Sequence, residues 1–216
     1  MSKKAWFFVI FFTALSIGFY FVLTLMIPGY GKVKMPVLQH VKPFAFVNQA
    51  GNTITEKQMD GKVYVAEFFF TTCQGVCPKM NTNMKQVFEV YRQEPGFAII
   101  SHTSDPETDS VQRLRAYADS LRVNGSNWWF VTGRKDSLYA AARESYLLDD
   151  PANNNGNIQD QFLHTQFFAL VDKTGRVRKI YDGLKKDEVE SLKKDIAILL
   201  KEPPDRKRFV NNVFGN

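Results

Sequence analysis

Cysteine and histidine are scarce in this chain, which has two cysteines and three histidines among its 216 residues. Both cysteines lie in one stretch, at Cys73 and Cys77, so none near the N-terminus can carry a lipid. The sequence also has no internal repeats, no long basic run and no nucleic-acid recognition motif, although its formal net charge is +6. Because that charge is spread over separate lysines and arginines, it predicts a solvated surface, and we expect no nucleic-acid partner.

Charged residues are absent from Ala5 to Ile27, a run long enough to cross a bilayer as a helix. No small-x-small cleavage site follows it, so we expect an uncleaved membrane anchor rather than a signal peptide. Lys3 and Lys4 precede the run and predict a cytoplasmic N-terminus. We therefore expect a single-pass protein of the inner (cytoplasmic) membrane, with its soluble domain facing the periplasm.

The remaining sequence suggests three further segments. We expect residues 28–42 to be a linker, residues 43–200 to be the folded domain and residues 201–216 to be a polar tail. Hydrophobic periodicity within the domain predicts strands that first alternate with helices, followed by a hairpin and a closing helix. The predicted strands are 43–47, 53–55, 63–70, 97–101, 128–131, 166–172 and 177–182, and the predicted helices are 80–93, 111–121, 135–146 and 186–200. This order is typical of an α/β fold, with a mixed sheet and helices on both faces.

The two cysteines lie at a predicted strand-to-helix turn, after the apolar run 63–70, with Pro78 at an early helical position. Unpaired N–H groups at a helix N-terminus favour thiolate over thiol, so we expect a reactive pair. Two thiolates are a soft donor pair that suits Cu(I), with zinc as a competitor. A structural disulfide between Cys73 and Cys77 is the alternative, and it would add modest stability by closing a short loop.

Three parts of the sequence resemble the SCO/SenC family of copper-handling proteins: Thr72–Pro78, Ser104–Asp109 and His164. The resemblance covers about residues 40 to 200, and Cys-x-x-x-Cys-Pro is its most specific part. It implies a thioredoxin-like fold with a central mixed sheet flanked by helices, preceded by one N-terminal transmembrane helix. It also implies a copper chaperone for cytochrome c oxidase assembly.

The resemblance further implies that Cys73, Cys77 and His164 bind copper, as Cu(I) or Cu(II). His164 stands just before the penultimate predicted strand, a position that faces the cysteines in thioredoxin-like proteins. Asp105 follows a strand at the same sheet edge and is a candidate accessory ligand, although Asp-Pro-Glu is also a good helix-entry sequence. The motif requires neither His40 nor His102, and we expect ordinary structural roles for both.

Two functions from different classes follow from these residues. The first is a metallochaperone, not primarily an enzyme, that gives copper to a copper-containing respiratory oxidase subunit and depends on a thiol-reducing partner. The alternative is a membrane-tethered thiol–disulfide oxidoreductase, in which Cys73 and Cys77 are the redox pair that reduces the cysteines of a partner. A peroxidase-like or electron-transfer thiol protein ranks lower because no acid/base pair accompanies Cys73.

Overall fold

A computed structural model describes residues 2–26, 35–123, 127–153 and 156–203 of the chain. The chain divides into two compact units, one covering residues 1–35 and the other residues 36–216. The described residues of the first unit form one helix, α1 (Lys3–Met26). Its large apolar side chains from Trp6 to Val22 are exposed, and the Thr13 hydroxyl donates a hydrogen bond to Val9 O at 2.7 Å. A helix that satisfies its own polar groups and is this long and apolar is able to cross a membrane, as the sequence predicts.

The second unit is built on one eight-stranded sheet with the order β1-β8-β7-β4-β5-β6-β2-β3. The strands are β1 (Gln39–His40), β2 (Ala45–Asn48), β3 (Thr53–Thr55), β4 (Val63–Phe69), β5 (Phe97–Thr103), β6 (Trp128–Thr132), β7 (Phe167–Val171) and β8 (Arg176–Asp182). The β4–β5 and β5–β6 pairs are parallel, and the other pairs are antiparallel. The sheet is therefore mixed, which confirms the predicted fold class.

Helices cover both faces of this sheet. They are α2 (Glu56–Met59), α3 (Cys77–Tyr91), α4 (Val111–Ser120), α5 (Lys135–Ala140) and α6 (Lys186–Lys201). Ala66 and Phe68 of β4 belong to the same buried cluster as Leu138 of α5. Successive strand residues point to opposite faces, so Phe69 lies on the other face of the sheet from Phe68. There it stacks on Tyr117 of α4, with ring centroids 5.2 Å apart. The strand β4 is thus buried on both faces, as its nearly continuous apolar sequence predicts.

Several predicted boundaries differ from the structure. The helix α3 begins at Cys77 rather than at Met80. The predicted helix 135–146 is α5 followed by a wider π-helical turn, in which Tyr146 N donates to Ala141 O at 2.9 Å. The predicted linker includes β1, which pairs with β8 at the sheet edge; sequence alone missed this because the two strands are far apart in the chain. Most of the predicted tail lies outside the described residues, which end at 203.

Candidate metal centre

Three connecting segments meet at one edge of the sheet, the one where the parallel strands β4 and β5 end. Residues 70–76 follow β4 and residues 104–110 follow β5, and because these strands are parallel and adjacent their following loops lie side by side. The strand β7 is antiparallel to β4, so residues 161–166, which lead into β7, reach the same edge. The first segment carries Cys73, the second carries Asp105 and the third carries His164.

The structure brings the two cysteines together as free thiols. Cys77 is the first residue of α3 and is buried, whereas Cys73 lies in the preceding loop and is half-buried. A hydrogen bond joins the two thiol groups. Cys73 is therefore the more accessible of the two thiols.

The expectation that the helix N-terminus favours a thiolate is wrong for Cys77 in the metal-free protein. Burial, together with the hydrogen bond with Cys73, raises the pKa of Cys77 to about 12. A hydrogen bond from the Phe70 backbone lowers this pKa but does not offset burial, because the side chain is only 3% exposed. A coordinated metal ion would remove the proton, since a coordinating thiol is deprotonated.

Phe70 connects the cysteines to His164, and the sequence analysis did not single it out. Its carbonyl oxygen accepts a hydrogen bond from Cys73 N at 3.2 Å, and its backbone also bonds to the Cys77 thiol. Its ring lies edge-on to His164, with centroids 6.2 Å apart, and edge-on to the exposed Phe162 at 5.0 Å. In the sequence, the position of Phe70 between a predicted buried strand and the cysteine motif could have indicated this role.

His164 lies at the same edge as the cysteines without completing a ligand set. It is exposed, and its segment has no regular secondary structure between residues 161 and 166. Within the described ranges, no three side chains of His, Cys, Asp or Glu are grouped closely enough to hold a metal ion. The structure therefore pairs the thiols and places the imidazole beside Phe70.

Asp105 lies in the neighbouring turn, where its contacts are local. Its backbone N–H donates to Thr103 Oγ1 at 2.9 Å, and its carboxylate accepts a hydrogen bond from Thr108 N at 3.3 Å. These are the contacts of a helix-entry turn, and an accessory role for Asp105 stays a prediction. The acidic residue of this turn that reaches the cysteine loop is Asp109, which hydrogen-bonds to Thr71.

The structure places the other two histidines in different surroundings. His40 is in β1, at the far edge of the sheet, and is exposed. His102 is completely buried and stacks on Phe68, with ring centroids 4.8 Å apart. Burial lowers the pKa of His102 to about 3, so its imidazole is neutral and belongs to the core, as expected.

Glu67 is a buried acid beneath the site that the sequence analysis overlooked. Its side chain is 0% exposed, and its carboxylate accepts a hydrogen bond from Ser101 Oγ at 2.6 Å. Burial raises the pKa of Glu67 to about 7, and the hydrogen bond from Ser101 opposes this shift. A lone acid inside the apolar run 63–70 was the signal, because an ionised carboxylate is rarely buried without a partner.

Comparison with known proteins places these features in context. A family model described as SCO1/SenC matches residues 34–201. The SCO1 protein homolog of Bacillus subtilis (strain 168) is 31% identical over 172 residues, which cover 78% of this chain and 86% of that protein. The solved structure of BsSco, described as a member of the Sco family of cytochrome c oxidase assembly proteins with a disulfide switch, is 28% identical. It aligns over 79% of this chain and 99% of its own, with a TM-score of 0.66.

More distant proteins share the fold. ScoI of Bradyrhizobium japonicum, solved with copper bound, is 22% identical, covers 74% of this chain and 99% of its own, and has a TM-score of 0.60. Some relatives are longer, and the chain spans 48% of the mitochondrial SCO1 protein of Saccharomyces cerevisiae. The residues that the family model matches span the cysteine motif, the acidic turn and His164.

Proposed function

The chain belongs to the SCO1/SenC family, and from this premise we propose that it carries copper on Cys73, Cys77 and His164 for the assembly of a respiratory oxidase. The copper is cargo, received and passed on to a copper-containing oxidase subunit. The observation that carries the proposal is the pair of free, hydrogen-bonded thiols at a sheet edge that also presents an exposed imidazole.

The chemistry of the donors supports copper over zinc. Two thiolates are soft ligands that suit Cu(I), whereas imidazole is also compatible with Cu(II). A structural zinc site normally has four protein ligands, and these residues supply three. The copper-bound ScoI of B. japonicum has the same fold, which supports copper as the cargo of this chain.

Copper binding on this proposal requires His164 to move towards the thiols. The thiols already lie together, and the imidazole is next to Phe70, whose backbone bonds to both cysteines. Residues 161–166 form no strand or helix, so this segment can shift more easily than β7 after it. The metal would then draw the imidazole towards the thiols and close the ligand set.

Membrane attachment through α1 would keep the copper site near a membrane-bound recipient. The helix is long and apolar enough to span a bilayer, and its first two residues are lysines. We propose that the second unit faces the periplasm, where thiols tend to oxidise. A disulfide cannot bind copper as two thiolates do, so the chaperone would depend on a thiol-reducing partner. The disulfide switch described for BsSco supports this dependence.

Copper titration of the full chain in detergent tests the proposal. After anaerobic reduction the protein should bind about one Cu(I) through the predicted thiolate pair, and after oxidation of Cys73 and Cys77 almost none, since a disulfide is a poor ligand. The variant His164→Ala should bind Cu(I) more weakly and lose most of its Cu(II) absorption. His40→Ala is the matched control, because His40 is also exposed but lies in β1 at the far edge of the sheet.

Equal copper uptake by the reduced and oxidised proteins would exclude the cysteines as ligands and overturn the proposal. If His164→Ala and His40→Ala both bind copper like the parent, the thiols remain as ligands and the assignment of His164 is wrong. Both readouts are compared in protein whose circular dichroism matches that of the parent.

A thiol–disulfide oxidoreductase is the second candidate, and the unequal exposure of the cysteines favours it. Cys73 is half-buried and Cys77 is buried, as an attacking thiol and a resolving thiol would be. Such an enzyme needs only the two thiols, so its reduction of a disulfide substrate should survive His164→Ala. Full reductase activity together with unmeasurable copper binding would favour this function over the chaperone.

A further inference from the structure

Asp109 reaches the cysteine loop from the neighbouring turn, although it is completely buried. Its Oδ2 accepts a hydrogen bond from Thr71 N at 3.1 Å, and its Oδ1 accepts one from the Thr71 hydroxyl. Thr71 directly follows Phe70, whose backbone bonds to both Cys73 and Cys77. The Asp109 carboxylate therefore anchors the loop at Thr71, the residue next to Phe70.

The carboxylate is itself held by the end of β5 and by its own turn. Thr103, the last residue of β5, donates a hydrogen bond from its hydroxyl to Asp109 Oδ2 at 2.5 Å. The backbone N–H of Asp109 donates to Asp105 O at 2.8 Å. Arg113 Nε donates to Thr71 Oγ1 at 2.9 Å, so the threonine hydroxyl accepts one hydrogen bond while it donates another. These contacts connect the loop to a central strand of the sheet.

We propose that Asp109 is a positioning residue that holds Cys73 against Cys77 through Thr71. The helix α3 fixes Cys77, whereas Cys73 depends on the loop before the helix, and Asp109 anchors the start of that loop. The separation of the two sulfurs, on which copper capture and disulfide formation both depend, is then set by this contact. Its effect on copper rests on the proposed function, whereas its effect on the thiol pair does not.

The substitution Asp109→Asn tests this role in the reduced full chain. A carboxamide replaces one acceptor with an N–H donor and faces donors from Thr71 and Thr103, so the anchor cannot form as before. We expect about 10- to 100-fold weaker Cu(I) binding, the usual loss when a residue that orients a ligand is changed. Thr71→Val, which removes only the hydroxyl, should weaken Cu(I) binding less. Thr71→Ser keeps the hydroxyl and should bind Cu(I) like the parent.

Asp172→Asn is the matched control for the loss of a buried carboxylate. Asp172 is nearly buried, and its carboxylate accepts hydrogen bonds from Thr174 N at 2.9 Å and Arg178 Nη1 at 2.8 Å. It directly follows Val171, which pairs with Tyr64 at the opposite end of β4 from the cysteine loop. This variant should unfold more easily but bind copper like the parent.

A glutathione redox titration supplies a readout that does not require copper. The two thiols and one oxidised glutathione give the Cys73–Cys77 disulfide and two reduced glutathiones, and the equilibrium constant should shift in Asp109→Asn but not in Asp172→Asn. If copper affinity and this equilibrium are unchanged in both Asp109→Asn and Thr71→Val, the positioning role is wrong. If the parent binds no copper, the proposed function fails, and the redox equilibrium alone then decides the role of Asp109. If Asp109→Asn does not fold, the same two measurements on Thr71→Val decide whether the positioning role is correct.

Discussion

The hydroxyl of Tyr139 accepts a hydrogen bond from the backbone N–H of Leu163 at 3.0 Å, 24 residues further along the chain. The same hydroxyl donates to Ser104 O at 2.9 Å. Leu163 precedes His164, and Ser104 precedes the acidic turn that begins at Asp105. A single buried tyrosine of α5 thus joins the segment that carries the imidazole to the turn that carries Asp109, and neither contact is visible in the sequence.

Removing this hydroxyl should loosen the segment before His164. In Tyr139→Phe the Leu163 N–H and the Ser104 carbonyl lose a partner, and an unsatisfied buried polar group costs about 1–3 kcal/mol of stability. We expect the free energy of unfolding in urea to fall by this amount. We also expect weaker copper binding, because the segment that carries the imidazole then loses more conformational entropy when the imidazole binds the metal.

A double-mutant cycle separates the two effects on copper binding. In a His164→Ala background, Tyr139→Phe should no longer change copper affinity, whereas its effect on stability should remain. Tyr91→Phe is the control, because the Tyr91 hydroxyl donates to Lys193 O at 2.6 Å from the other end of α3. An equal loss of copper affinity with and without His164 would show that Tyr139 does not act through the imidazole.

The buried carboxyl of Glu67 should make the free energy of unfolding depend on pH. Burial raises the pKa of Glu67 from 4.5 to about 7, so between these values the folded protein keeps a proton that the unfolded chain releases. Stability contributed by the protonated form is therefore lost as pH rises through this window. In Glu67→Gln this loss is absent, and the variant should gain up to about 3 kcal/mol relative to the parent between pH 4.5 and pH 7.

Urea denaturation of parent and variant at several pH values measures this difference. Glu89→Gln, which changes an exposed glutamate of α3, serves as the control for loss of a carboxyl group. A stability difference between Glu67→Gln and the parent that stays constant from pH 4.5 to pH 7 would show that Glu67 does not hold its proton in the folded protein.

Alkylation should distinguish the two cysteines in the reduced, metal-free protein. Cys77 is 3% exposed, and burial raises its pKa to about 12, whereas Cys73 is half-buried. Because the thiolate is the nucleophile, iodoacetamide at pH 8 should modify Cys73 well before Cys77, as read by peptide mass spectrometry. In Cys73→Ser, Cys77 should still react slowly until urea unfolds the domain. Faster modification of Cys77 than of Cys73 would contradict the burial of Cys77.

The elements that sequence predicted well are those with a local pattern. The uncharged run from Ala5 predicts α1, the continuous apolar run from Val63 predicts β4, and the turn at Gly175 predicts the β7–β8 hairpin. The family resemblance, carried by the cysteine motif, predicts the thioredoxin-like sheet that the structure confirms. Periodicity and turn chemistry act over a few residues, so they can be read without knowing which strands pair.

The sequence by itself determined that two cysteines share a strand-to-helix turn and that His164 lies just before a strand in the same domain. Only the tertiary structure decided that Asp109, rather than Asp105, contacts the cysteine loop, because this depends on the parallel register of β4 and β5. It also decided that Cys77 is protonated, since burial by the surrounding elements outweighs the helix N-terminus. Contacts between distant residues and the desolvation they cause arise when the sheet assembles, and no local pattern encodes them.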